Sequence, residues 1–241
     1  MKPEGLRNLI VKGLKSYGIA GGNPKLQAYL GSPYPVLGLS TPQLRAVVRA
    51  NEPLFKQMSI EDANILSSLL WTGSTYEEKI AAIIVLDRCS ERLDDESWSI
   101  MDRMIEQATG WAICDSLGSG PISSMLYREQ KRFSEVQRWT RAANMWRRRV
   151  SIYAMNDFVR NGELKKPFAL LEKLLRDKEF WVQRAVGTWL RECWKKDRGR
   201  TEVFLLEHAE GLPRVVITVA TERAPKRFRE ELRRKKGAEA E

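Results

Sequence analysis

WAICDSLG, residues 111–118, opens on an aromatic and carries an aspartate four positions later. Helical periodicity places Trp111 and Asp115 on one face, one turn apart. Steps of 35 residues forward from Trp111 reach Trp146 of WRRRVSIY and Trp181 of WVQRAVGT, and backward steps reach Tyr76 of YEEKIAAI and Thr41 of TPQLR. One more forward step lands on Val216, inside VVITVATER. Self-similarity at this length marks stacked repeats of paired helices, each of which buries its apolar face only against its neighbours. The sequence therefore predicts an all-α fold, a curved solenoid of about six helical pairs whose inner helices line a concave groove.

The rest of the chain agrees with that reading. LRNLIVKGLKSYG, TPQLRAVVRA, YEEKIAAIIVLDRC, PFALLEKLLRD and TEVFLLEHAE space apolar residues by three and four and are separated by Gly, Pro or Asn. No hairpin signal flanked by alternating strands occurs. GGNP and GSPYP near the N-terminus read as loops. No linker or composition break interrupts the repeats, so residues 1–241 are expected to form a single domain. Its basic tail, about 225–241, is expected to fray or to form one amphipathic helix; its charge reads first as that of a solvated tail and, as the alternative, as a source of non-specific affinity for DNA.

The chain carries 41 Lys and Arg against 31 Asp and Glu, a formal +10. Charge of this sign speaks to association with a polyanion, not to fold. The three cysteines, Cys89, Cys114 and Cys193, are widely spaced and odd in number, which suits neither a disulfide framework nor a metal site and implies a reducing, cytoplasmic setting. The single histidine, His208, rules against histidine triads and multi-histidine metal sites and reads as structural. No apolar run has the length of a membrane span or of a signal-peptide core. The expectation is a soluble monomer that needs no metal and no cofactor.

The repeats differ in one informative place. Three residues after each aromatic come Lys79, Cys114, Arg149 and Arg184; four residues after come Ile80, Asp115, Val150 and Ala185. Basic residues at one register would form a stripe down the groove, suited to phosphates, which accept Lys and Arg without reading sequence. The same residues also fit a set of solvated surface charges. Asp115 has only apolar siblings, so it should be partly buried and must be hydrogen-bonded or paired. Either it accepts bonds from Ser, Thr or Arg of a neighbouring repeat, or it breaks the local rule because it functions. A carboxylate and an aromatic within a basic groove suit a cationic, planar group attached to DNA.

On these residues, from NPKLQAYLGSPYPVLGLSTPQLR through TGWAICDS and NMWRRRVSIYAMNDF to FWVQRAVGTWLREC, the chain resembles the AlkD-like DNA glycosylases. That resemblance implies HEAT-like repeats, double-stranded DNA with alkylated purines as partner, and hydrolysis of the N-glycosidic bond of N3- or N7-alkylated purines without base flipping. It implies Asp115 and Trp111 as catalytic residues, Arg149 facing DNA near the lesion, Tyr29 as the N-terminal aromatic near the site, and Thr41 and Arg191 as backbone-contacting positions. Two departures stand out. The family's WWDxVD pattern reads Gly110, Trp111, Ala112 and on to Asp115 here, and its second tryptophan aligns with Thr188 of GTWLRE, with Trp189 one place along. One residue turns a helical side chain by about 100°. A DNA-binding relative that has lost catalysis is therefore the alternative, and a protein-binding helical scaffold the third reading.

Overall fold

The computed structural model describes residues 1–237. Their regular structure is helical throughout, in the order α1 Pro3–Ser16, α2 Pro24–Leu30, α3 Thr41–Ala50, α4 Glu52–Lys56, α5 Ile60–Trp71, α6 Tyr76–Arg88, α7 Asp95–Gln107, α8 Trp111–Leu117 and α9 Ser123–Arg128. There follow α10 Phe133–Trp139, α11 Met145–Tyr153, α12 Asn156–Arg160, α13 Lys165–Leu171, α14 Phe180–Lys196, α15 Arg198–Glu207, α16 Arg214–Ala220 and α17 Lys226–Gly237. The chain groups into two compact units, which meet in sequence between Gln130 and Lys131.

The 35-residue period is the period of the inner helices. α3, α6 and α8 start at Thr41, Tyr76 and Trp111, and α11 and α14 start one residue ahead of Trp146 and Trp181. α16 contains Val216, so six inner helices carry the six repeat positions. In the first unit α6 packs on α3 and α8, while α1, α5 and α7 form the outer layer. In the second, α14 packs on α11 and α16, backed by α13 and α15. The all-α, helical-repeat class expected from the sequence is the observed one.

Local chemistry explains where the inner helices begin. Thr75 and Glu78 form a reciprocal capping box at the head of α6, and Ser40 and Gln43 do the same for α3. Asn144 caps α11 by accepting from the Trp146 amide at 2.9 Å. α8 has no capping side chain and starts instead from Gly110 at φ 91°. Each layer then seals an apolar interior: Leu6, Ile10 and Leu14 of α1, Leu66 and Leu70 of α5, and Val85 and Leu86 of α6 have no exposed surface. Each such side chain stabilises the fold by about 1.5–3 kcal/mol relative to exposure.

Three features were not legible beforehand. The stretch WRRRVSIYAMNDFV, whose apolar spacing reads as one helix, divides into α11 and α12, and PFALLEKLLRD passes from α13 into a 3-10 turn at Glu172–Leu174. After α8 the helical path does not stop at the GSGP glycines but runs through a π turn, Gly118–Ile122, into α9. Of the two outcomes expected for the basic tail, a frayed end or one amphipathic helix, the helix is the one formed up to residue 237, where α17 buries Phe228 and Leu232. The part of that expectation on residues 238–241 lies outside the described residues.

Candidate active site

The site grows from the place where α2 meets the head of α8. A Cβ on Gly110 would lie 2.4 Å from the Gly31 carbonyl oxygen, and both glycines adopt positive φ. Only a backbone without side chains allows this approach. The contact sets Tyr29 beside Trp111, the rings edge-on with centroids 5.5 Å apart and planes at 85°. The Trp111 indole N–H donates to the Tyr29 carbonyl at 2.8 Å, satisfying one of the acceptors that every helix leaves open at its C-terminus. Tyr29 itself is 69% exposed, so its ring stands at the surface next to a half-buried Trp111.

Beneath them lies a small apolar cluster of Leu30, Val36 and Ala112, against which Leu26, Tyr76 and Trp111 pack. Tyr76 is also tied to the segment after α2, its amide donating to the Pro35 carbonyl at 3.0 Å. Burial, then the charges of Glu77 and Asp115, push the Tyr76 phenol up to about 12, so it stays neutral and Asp115 is near enough to be felt. Asp115 is half-buried one turn below Trp111. Its carbonyl accepts from the Ser119 hydroxyl at 2.6 Å and from the Gly118 amide. The π turn that begins at Gly118, three residues after the aspartate, widens the helix there, a feature frequent at functional sites.

One residue that the sequence reading passed over holds this arrangement in place. Glu77 has no exposed surface, and its two carboxylate oxygens accept from the Leu37 amide at 3.0 Å and the Gly38 amide at 2.9 Å. A buried carboxylate is tolerated when its oxygens are satisfied by fixed donors. Glu77 thereby pins the segment that follows α2 to α6. In the sequence it looked like an ordinary first-turn acid; its position on an inner, apolar helix was the signal.

The expected basic stripe needs correction. Lys79 is buried, with Nζ donating to the Trp71 carbonyl and lying 4.5 Å from the centre of the Tyr34 ring. Burial lowers its pKa. Arg149 is buried as well: its guanidinium donates to the Trp181 carbonyl and, at 3.1 Å, to the Tyr153 hydroxyl. A shared register gave these two an internal role, because aromatic side chains and carbonyls cover them. Of the three basic residues in the register only Arg184 is exposed, with its guanidinium 5.8 Å from the Phe180 ring.

Thr41 is exposed at the first position of α3. Thr188 is half-buried on α14, and its neighbour Trp189 is buried edge-on to Tyr153, centroids 5.6 Å apart, with an indole N–H that has no acceptor among the described residues. Arg191 forms an ion pair with Glu222. His208 bonds within its own unit, to the Phe204 carbonyl at 2.8 Å and Glu172 at 3.4 Å. The three cysteines are free and buried. Among the described residues no His, Cys, Asp and Glu group could hold a metal, and no helix is long and apolar enough to cross a membrane.

A family model described as DNA alkylation repair enzyme matches residues 10–224. The chain belongs to that family. A solved structure titled as a predicted DNA alkylation repair enzyme from Enterococcus faecalis is similar with a TM-score of 0.74 at 17% identity, covering 85% of this chain and 97% of the other. AlkD2 from Streptococcus mutans is similar with a TM-score of 0.63 at 15% identity, covering 83% and 97%. The protein smu.31 of Streptococcus mutans UA159 gives 0.58 at 16%, covering 76% and 100%. At these identities the likeness is one of fold. No curated protein matches by sequence.

Proposed function

We propose that this member of the DNA alkylation repair enzyme family is a monofunctional DNA glycosylase acting on N3- or N7-alkylated purines in duplex DNA. The observation that carries the reading is the pairing of a half-buried Asp115 with a Trp111 whose indole is locked to the Tyr29 carbonyl. Alkylation at these ring nitrogens makes the purine cationic, so the C1′–N bond breaks with its electron pair going to a neutral base. Little general-acid help is needed. The charge that then develops on the deoxyribose is what a fixed carboxylate stabilises, and fixed groups aimed at developing charge are usually the largest catalytic term. Water forms the new C1′–O bond and loses its proton towards Asp115.

Trp111 and Tyr29 offer aromatic surface for the sugar and for cation contact. The exposure of Tyr29 favours a lesion approached in the duplex, unlike the enclosed pockets of enzymes that flip their base. Thr41 and Arg184, both exposed, meet phosphates in this reading, whereas Arg191, expected beside Thr41 as a backbone-contacting position, is engaged by Glu222. Lys79 and Arg149 act from within, through the aromatic and carbonyl groups they hold.

The test is release of free alkylbase from methylated duplex by the wild type. Release above background supports the reading and its absence overturns it. A second reading, binding of DNA without catalysis, is favoured by Thr188 and by the burial of Trp189 against Tyr153. It requires salt-dependent duplex binding, no release by the wild type, and release regained in Thr188→Trp.

A further inference from the structure

Half of the chain's formal charge sits on its last described helix. α17 carries seven Lys and Arg against two Glu, a formal +5 out of +10. It lies beyond residue 224, where the family match ends, so the site around Asp115 does not account for it. The helix is held in place: Phe228 and Leu232 are buried, and Lys236 Nζ donates to the Leu212 carbonyl. At about 100° per residue, the face opposite Phe228 and Leu232 presents Lys226, Arg227, Arg233 and Arg234, all exposed, around Glu230.

This is not the usual solvated face. An exposed helix typically mixes signs so that oppositely charged residues pair at i,i+4, whereas like charges in proximity destabilise it. Among the described residues the one pair here is Lys226 with Glu230 at 3.7 Å, and no described carboxylate pairs with Arg227, Arg233 or Arg234. Arg227 and Arg234 are seven residues apart, about 10 Å along the axis at 1.5 Å per residue. One DNA strand advances about 3.4 Å per phosphate along the duplex axis, so the array spans about three phosphates.

We propose that α17 is a second DNA-contacting surface, which binds duplex phosphates independently of the lesion. The proposal takes the identity of the polyanion from the functional reading above and concerns a different surface. Arginine suits it because its planar fork meets phosphate oxygens in bidentate fashion.

The experiment measures binding of an unmodified, labelled duplex by the full chain between about 50 and 200 mM salt. In the triple variant Arg227→Gln, Arg233→Gln, Arg234→Gln the slope of log K against log salt falls by two to three, at about 0.9 per lost contact. Base release at saturating DNA is unchanged. The opposite variant, Glu230→Gln, binds more tightly, a gain that no folding defect in the triple variant can mimic. An unchanged slope in the triple variant with unchanged affinity in Glu230→Gln overturns the proposal. So does a duplex slope that stays fixed while binding to phosphatidylserine vesicles is lost, which would assign the face to a membrane. A wild type whose slope depends on α17 but which releases no base overturns the glycosylase reading alone; base release with an unchanged slope overturns this inference alone.

Discussion

α8 and α14 are equivalent inner helices that use tryptophan in opposite ways. On α8, Trp111 is half-buried at the helix head, its N–H satisfied by the Tyr29 carbonyl, with Asp115 one turn below. On α14 the residue equivalent to Asp115 is Ala185, fully buried, and the tryptophan near the family's second position, Trp189, is turned into the interior with an N–H that finds no acceptor among the described residues. The repeat supplies the same scaffold twice. At α8 a second segment, the short α2, closes over the helix head through the Gly31 and Gly110 approach and the Trp111 to Tyr29 hydrogen bond.

That contrast can be broken at its structural hinge first. Gly110→Ala combines a positive φ with a Cβ driven into the Gly31 carbonyl, so a loss of about 3 kcal/mol is expected in chemical denaturation. Gly162→Ala, at φ 76° with nothing within 4 Å, is expected to cost only about 1 kcal/mol. Equal losses would mean that the α2–α8 approach is not what Gly110 is for.

Smaller changes sharpen it. Trp111→Phe removes a satisfied N–H and releases the ring from Tyr29; about a tenfold fall in base release is expected, with a stability loss of about 1 kcal/mol. Trp189→Phe removes a donor that has no acceptor among the described residues, so the relief offsets part of the lost packing and base release is unchanged. Single-turnover rates for the two variants check the pair, and a Trp189→Phe loss as large as that of Trp111→Phe would erase the distinction.

The smallest effect concerns Tyr76. Because its folded-state pKa is raised to about 12, the folded protein retains a proton that the unfolded chain has given up from about pH 10 upward. Its contribution is therefore intact below pH 10 and lost as pH rises towards 12. Thermal melts should fall more steeply across that window in the wild type than in Tyr76→Phe; parallel curves would contradict it.

Much of the fold was legible because the 35-residue spacing of Tyr76, Trp111, Trp146 and Trp181 is the spacing of inner-helix heads, and periodicity survives in sequence. The same period shows Trp111 as a member of the repeat and Asp115 as the deviation from its siblings Ile80, Val150 and Ala185. What was not legible depends on contacts across long separations. The burial of Lys79 beneath Tyr34, the clamp from Glu77 to the Leu37 and Gly38 amides, and the Gly31 to Gly110 approach all join residues 39 to 79 positions apart. Register alone made Lys79, Arg149 and Arg184 look alike, whereas covering groups decide that only Arg184 is exposed. Family resemblance supplied Tyr29; no local pattern around it marks a site.

The central claim is that the carboxylate of Asp115 stabilises charge that appears on the sugar as the cationic purine departs. Its most direct test is the single-turnover rate of alkylbase release from methylated duplex for Asp115→Asn against the wild type, at saturating protein. The account predicts a fall of about 100-fold to 1,000-fold with duplex affinity retained, the size expected for loss of one fixed electrostatic group. Release from Asp115→Asn at the wild-type rate would contradict it.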